Sequence, residues 1–309
     1  MTVTQKHRPL ISVIICTYNR ASLLSETLMA LPELHRMDQA EVIVVDNQST
    51  DHTAAVVAQF QQHWPASCTL RYVREREQGL SHARNRGIEE ASGDWIAFLD
   101  DDAIPERNWL QMMVQAFERY PDAEGIGGKI RPRFETARPD WLIHELELPY
   151  TIVDLGDEEK KYPKHLFPFG ANMVLKREVV ERIRFPVHLG RKGNSLLSGE
   201  ESWLFQRIQD EGGALYYIPG LVVDHFIPEE RLTKEWIRKR YYYQGVSHGL
   251  ASAKRMQKLR LLLVLGLKLG YVAADSLRAR EDGRRLLNRC RLDSIQGTWR
   301  TLTMKGDPG

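Results

Sequence analysis

The stretch Trp95-Ile96-Ala97-Phe98-Leu99-Asp100-Asp101-Asp102 sets an unbroken apolar run directly against three consecutive carboxylates. A run without alternation is what a strand covered on both faces requires, so it marks a strand of a parallel sheet. In such sheets ligands bind beyond the carboxyl ends of the strands. Three adjacent acids at that point repel one another unless a cation or a partner compensates them. Hard oxygen ligands suit Mg2+ or Mn2+, ions that bridge carboxylates to phosphate. A competing assignment, one Asp capping the helix after Pro105, accounts for only one of the three.

On either side the pattern repeats. Ile11–Cys16 (ISVIIC) is another buried run, followed by Leu23, Leu24, Thr27, Leu28 and Leu31 at helical spacing up to Pro32. Val42–Val45 is the next strand; Asp51 is placed to cap the helix carrying Ala55, Val56 and Phe60. Leu70–Val73 is a weaker strand, and Ser81 is placed to cap a helix ending at Ser92-Gly93. Trp109, Met113, Val114 and Phe117 mark a helix ending at Pro121. Repeated β-α units of this kind predict a doubly wound α/β layer. From about Gly125 shorter strands are expected (Gly125–Ile130, Phe169–Leu175, Leu215–Val223), with a solvated loop over Asp154–Lys164. The last 80 residues or so read as helical and basic. The division expected is 1–105, 106–230 and 231–309.

Each strand exit carries polar groups. They are Thr17-Tyr18-Asn19-Arg20, Asp46-Asn47-Gln48-Ser49-Thr50-Asp51, Gln78-Gly79-Leu80-Ser81 with Ala83-Arg84-Asn85-x-Gly87, and the triple Asp. Together they suit one ligand with a ring, hydroxyls and phosphates. Asp46 is placed to accept from a base N–H or a ribose hydroxyl, or else to serve as a turn residue. Arg84 offers a guanidinium to a diphosphate, or else is a surface helix cation.

These motifs, PxISVIICTYNR, VVDNQSTD, GLSxARNxG and FLDDD, in this order resemble family 2 glycosyltransferases of the GT-A fold. The resemblance is close over residues 9 to about 105 and looser to about 250. It implies a Rossmann-like, mostly parallel sheet flanked by helices, and inverting transfer of sugar from a nucleotide diphospho-sugar, a UDP-sugar being favoured. It implies that Thr17, Tyr18, Asn19 and Asp46 hold the nucleotide, with Arg84, Asp100 and Asp101 completing its site. Asp100 and Asp102 would hold Mn2+ or Mg2+, with His225 as third ligand. Family members usually carry Gly-Glu-Asp at the acceptor side, with the Asp as base. Here the stretch is Gly199-Glu200-Glu201, so Glu201 is the expected base and Glu200 the reserve. Ser198-x-x-Glu201 is equally the pattern of a capping box. Asn172 is expected on the acceptor side.

Other chemistries lack their motifs. There is no P-loop, and Gly125-Ile126-Gly127-Gly128 lacks dinucleotide spacing. Gln296-x-x-Trp299-Arg300 reverses the Gln-x-x-Arg-Trp of processive synthases, which favours transfer of a single residue. A sugar-1-phosphate nucleotidyltransferase is a second reading, but its glycine-rich loop after the first strand is missing. A catalytically silent nucleotide-sugar binder is a third, permitted by the unusual Glu201.

The net charge of +2 hides an asymmetry. Residues 1–230 hold 25 Lys+Arg against 35 Asp+Glu; residues 231–309 hold 18 against 6. The basic tail has no nucleic-acid-binding pattern, so no nucleic-acid partner is expected. It suits a glycan or lipid-diphosphate-linked acceptor and peripheral contact with an anionic membrane. Leu259–Ala274 would lie in the headgroup plane, or else pack on the domain or in a homodimer. Cys16, Cys68 and Cys290 are widely spaced, and no signal-peptide core or ~20-residue apolar span is present. A cytoplasmic location, on or off a membrane face, follows as the expectation.

Overall fold

The computed structural model describes residues 9–193, 196–251, 255–277 and 279–303, with side chains described outside 251–263. Its first half alternates β1 (Ile11–Thr17), α1 (Ala21–Ala30), β2 (Ala40–Asp46), α2 (Thr53–His63), β3 (Thr69–Arg74), α3 (Leu80–Glu90) and β4 (Trp95–Phe98). The short β5 (Ala103–Pro105), α4 (Trp109–Arg119) and the long β6 (Ala123–Phe134) follow. Then come β7 (Lys160–Lys161), β8 (Met173–Lys176), α5 (Arg177–Arg182), α6 (Glu200–Asp210) and β9 (Ala214–Ile227). Three helices close the described chain: α7 (Lys234–Ala251), α8 (Arg255–Ser276) and α9 (Asp282–Thr303).

All the strands join one sheet in the order β3-β2-β1-β4-β8-β6-β9-β5, with β7 also paired to β9. The pairs β3–β2, β2–β1, β1–β4 and β6–β9 are parallel, while β8, β5 and β7 run against their neighbours. The apolar runs take the central strands because helices cover both faces. Every residue of β2 is buried, as are all four of β4. Register then aligns chemistry, since Thr17 at the end of β1 stands opposite Asp46 at the end of β2.

One strand escapes the sequence pattern. Ala103-Ile104-Pro105 directly follows the triple Asp and pairs antiparallel with β9, setting Ala103 opposite His225. This pairing brings the third expected metal ligand to the first two.

The C-terminal helices split between two behaviours. Helices α7 and α9 cross closely where Gly245 and Gly297 face backbone of the other helix, at approaches a Cβ would block. They share a second apolar core containing Leu142, Leu146, Ile237, Leu286 and Cys290. The packing alternative is therefore realised by α7 and α9. Helix α8 differs: from Val264 on it leaves Leu267 at 77% and Tyr271 at 55% exposure, with Leu277 just beyond at 90%. Asp275 ties it to Arg284 and Arg291 of α9. The start of the expected headgroup segment, 259–263, lies outside the described side chains. No described helix is long and apolar enough to cross a membrane.

Candidate active site

A cleft of about 970 Å³ opens beyond the carboxyl ends of β1 and β4, walled by the exits of these strands, the start of α6, and β9 with α7. Arg20 organises its first pole. Its guanidinium donates to Asp101 Oδ1 at 2.6 Å and to Asp102 Oδ2 at 2.5 Å. Thr17 Oγ1 donates to the other oxygen of Asp101 at 2.8 Å. Asp101 is thus a buried strut, its pKa pushed up to about 7 by burial and by Asp102 against the pull of Arg20. None of the three carboxylates caps the next helix, whose N-cap is Asn108.

Asp102 is 2% exposed and keeps one oxygen for something else. Burial would raise its pKa, but the imidazole of His225 and then Arg20 hold it well below the usual carboxylate range. Its Oδ1 is buried without a hydrogen-bond partner and lies 3.3 Å from His225 Nε2. His225 Nε2 is 4.0 Å from Asp100 Oδ2. One ligand atom from each of Asp100, Asp102 and His225 falls within 4.8 Å of the others. Two carboxylates with one imidazole fit a divalent ion. The Asp100 carboxyl, raised by burial and by Asp102, is a group that such an ion would hold ionised.

The second pole is built on Arg84. Gly79, at φ 145°, starts α3 in place of the expected cap Ser81, whose hydroxyl instead donates to Leu189 O at 2.9 Å. Arg84 follows one and a half turns later, only 3% exposed. It donates to Glu200 Oε1 at 2.9 Å and Glu201 Oε1 at 2.6 Å. The guanidinium that the sequence offers to a diphosphate is thus taken by two carboxylates. Its Cζ lies 5.2 Å from the Phe185 ring, an apolar setting that strengthens both contacts. Gly170 is required here because a Cβ would strike both Arg84 Nη2 and Glu201 Oε1.

The capping box does not form. Gly199, at φ 103°, occupies the N-cap of α6 without a side-chain bond, and Glu201 turns to Arg84 and the Gly170 amide. Burial raises the Glu201 pKa, Arg84 opposes the rise, and the Glu200 charge adds to it. A carboxylate whose pKa is raised is a better proton acceptor than an ordinary one. Glu200 Oε2 is buried without a partner. The nearby thiol of Cys16 is pushed up to about 12 by burial and is no nucleophile at neutral pH.

The remaining sequence-derived residues fall unevenly. Tyr18 is 38% exposed on the cleft wall. Asp46 is buried just behind it, with its oxygens taken by the Ser49 amide (2.7 Å) and the Tyr72 hydroxyl. Asn19 binds the neighbouring loop, its Oδ1 accepting from the Thr50 amide at 2.7 Å. Asp51 serves two helix starts, accepting from the amides of Ala21 and Thr53. Asn172 is fully buried, its groups used by Trp109, Lys129 O and Leu221 O, so it fixes strands and is closed to an acceptor.

Residues 12–184 match the profile of Glycosyl transferase family 2. The chain belongs to that family. Relatives include the glucosyl-dolichyl phosphate glucuronosyltransferase of Haloferax volcanii, 26% identical over 77% of this chain and 75% of that one. Succinoglycan biosynthesis protein ExoM of Rhizobium meliloti is 27% identical over 86% and 84%. Among solved structures, the mannosyltransferase PcManGT of Pyrobaculum calidifontis, in complex with GDP-Man and Mn2+, superposes with TM-score 0.64 at 21% identity. That match covers 97% of this chain and 89% of that one. The fold of this glycosyltransferase is thus the GT-A fold with a C-terminal helical region.

Four arginines of this glycosyltransferase's cleft have no individual role in the sequence motifs, although Arg231 and Arg240 belong to the basic tail expected to meet an acceptor or a membrane. Arg20 lies within the first motif, which does not reveal its partners. Arg191, Arg231 and Arg240 also line the cleft. The spacing of Arg240, Gln244, Ser247 and His248 along α7 puts them on one helical face, a signal of this wall that the sequence itself carries.

Proposed function

We propose that this glycosyltransferase moves one sugar from a nucleotide diphospho-sugar, with inversion, to a glycan or lipid-diphosphate-linked acceptor in glycan or polysaccharide assembly. The carrying observation is two poles in one cleft. One is the Asp100, Asp102 and His225 cluster, the other is Glu201 held by Arg84. Residues 1–105 supply the donor half, 106–230 the acceptor half. Thr17 and Tyr18 border the base and ribose, with Asp46 and Asn19 shaping the loop behind them. Asp100, Asp102 and His225 would hold Mn2+ or Mg2+, which when bound would neutralise charge on the donor diphosphate. Asp101 and Arg20 fix the carboxylates. Glu201 takes the proton of the acceptor hydroxyl as that oxygen attacks the anomeric carbon from the face opposite the leaving diphosphate. Glu200 shares the cation and so sets the basicity of Glu201.

Support for the donor class comes from the neighbour solved with GDP-Man and Mn2+ and from a further one, GalNAc-T7, solved with UDP, GalNAc and Mn2+. The base preference for uridine rests on the motif resemblance. Support for the acceptor class comes from the names of the two relatives, a glucosyl-dolichyl phosphate glucuronosyltransferase and a succinoglycan biosynthesis protein. In this proposal the protein sits peripherally on an anionic membrane at the cytoplasmic face; the exposed apolar residues of α8 are compatible with contact with a membrane, with homodimerisation as the competing use of that surface.

The test is hydrolysis of a panel of nucleotide sugars with and without Mn2+. One donor is expected to turn over only with metal, and Glu201→Gln is expected to lower kcat for transfer by about 100-fold or more with little change in donor affinity. Donor binding without turnover, unchanged by Glu201→Gln, identifies a silent binder instead.

A further inference from the structure

Three arginines face the cleft from its far wall. Arg191 comes from the loop before α6, Arg231 from the turn after β9, and Arg240 from the second turn of α7. Among the described residues none of them forms an ion pair, whereas Arg238, Arg284 and Arg291 of the C-terminal extension do. They are also close to one another. The Arg231 guanidinium is lowered to about 10 by burial and by the charge of Arg191, and Arg240 is lowered to about 10 for the same two reasons. Arg231 and Arg240 remain cationic at neutral pH, so the fold holds repelling charges at a cost that a bound anion would offset.

The cluster is positioned by the structure around it. The Arg231 Cζ lies 5.9 Å from the Trp236 ring, which stacks at 5.0 Å on Tyr150. The Tyr150 hydroxyl donates to Arg231 O at 3.0 Å. Arg240 Nη1 donates to Ser198 Oγ at 3.0 Å, and the Ser198 amide donates to Ser247 Oγ at 3.0 Å, so α7 grips the loop that leads into Glu200 and Glu201. Arg240 Nε is buried with no hydrogen-bond partner. Arg231 feels the charge of Asp102, and Arg240 that of Glu200 and Glu201. The cations therefore span the space between the metal-ligating pole and the proposed base.

We infer that Arg191, Arg231 and Arg240 form an anion subsite through which the C-terminal extension completes the cleft, and that its ligand is a phosphate or diphosphate group. Forked guanidiniums match phosphate oxygens bidentately, and three of them suit a multiply charged group. Two parts of the proposed reaction carry that chemistry: the departing diphosphate of the donor and a phosphate linking the acceptor to its carrier. Which part is seated rests on the proposed transfer reaction; the subsite itself does not.

The probe is inorganic pyrophosphate, titrated calorimetrically into the full chain with chelator present, so that the Asp100, Asp102 and His225 cluster plays no part. Binding is expected, weakened about tenfold or more by Arg231→Gln and by Arg240→Gln and partly restored by Arg240→Lys. Thermal midpoints of the variants separate loss of the site from loss of the fold. The titration is then repeated with UDP and Mn2+ at saturation. Exclusion of pyrophosphate by that complex identifies the donor diphosphate as the ligand. Continued binding of pyrophosphate, or of a short-chain prenyl phosphate, identifies an acceptor phosphate. No metal-free binding, or equal binding by the wild type and both glutamine variants, overturns the subsite. Neither result touches the transfer reading, which the donor-panel assay tests separately.

Discussion

On the wall of the cleft made by β1, β4 and β5, the charges are already settled by partners. Arg20 takes Asp101 and Asp102, and behind them Arg84 takes Glu200 and Glu201. On the wall made by the extension, Arg231 and Arg240 have no carboxylate within ion-pair distance among the described residues. The first wall is largely preorganised: Asp101, Asp102, Glu200 and Glu201 are each hydrogen-bonded to a buried or half-buried cation, while Asp100 lies 4.0 Å from His225 Nε2. The second is held by aromatic and hydroxyl contacts that leave its charge uncompensated. Electrostatic stabilisation works best when dipoles and charges are in place before reaction, so the settled wall fits fixing metal and base. The open wall fits receiving a charged group that arrives and leaves.

The largest expected effect breaks the settled wall at its tightest point. Asp102→Ala removes the unpartnered Oδ1 that faces His225 and one of the two anchors of Arg20. Turnover is expected to fall about a thousandfold or more. Mn2+ should no longer tighten binding of a nucleoside diphosphate, read by calorimetry with and without the ion. Metal-dependent affinity that survives this change would remove Asp102 from the ligand set.

Much of the settled wall was legible because its residues sit where strands end. An apolar run followed by polar residues marks a sheet's carboxyl edge in sequence alone, and Thr17, Asp46 and the triple Asp all follow such runs. What joined them was not legible. β5 has three residues, one of them proline, and becomes a strand only by pairing with β9 more than a hundred residues away. That pairing, invisible to periodicity, puts His225 beside Asp102. Arg84 was found but its partner was misjudged, since a helical arginine in sequence does not reveal which carboxylates fold back onto it. The open wall was hidden for a different reason. Arg231 and Arg240 belong to a tail whose net charge of +12 suits an acceptor or a membrane without showing which side chains face the cleft, and only the packing of α7 against α9 and the 196–199 loop turns Arg240 inward.

A smaller effect separates the two roles of Arg84. Arg84→Gln leaves Glu200 and Glu201 buried together without their cation, and removing one side of a buried pair costs about 3–5 kcal/mol, visible as a lower denaturant midpoint. The pH profile gives the second readout. A base acts when deprotonated, so kcat/KM is lost as pH falls through the pKa of Glu201, which burial raises above the ordinary value of about 4.3. Arg84 opposes that rise and Glu200 adds to it. The acidic limb of the profile should therefore move to higher pH in Arg84→Gln. A limb that stays in place or moves down assigns it to another group.

The smallest expected effect on catalysis comes from α8, where the extension turns its other face outward. Leu267 and Leu277 are 77% and 90% exposed. Exchanging both for serine removes no packed contact, so the change in stability should stay within about 0.5 kcal/mol, and turnover on a soluble acceptor should be unaltered. Yet burying one leucine in an apolar phase is worth about 1.5–3 kcal/mol, so vesicles containing anionic lipid should retain the double variant at least about tenfold less well. Flotation of the two proteins side by side, with sedimentation of each without lipid, decides between the uses of this face. Reduced flotation with unchanged sedimentation assigns α8 to the membrane. Unchanged flotation with a shift from dimer to monomer assigns it to a second copy, and the basic charge of the extension is then accounted for by the cleft and by its ion pairs rather than by lipid.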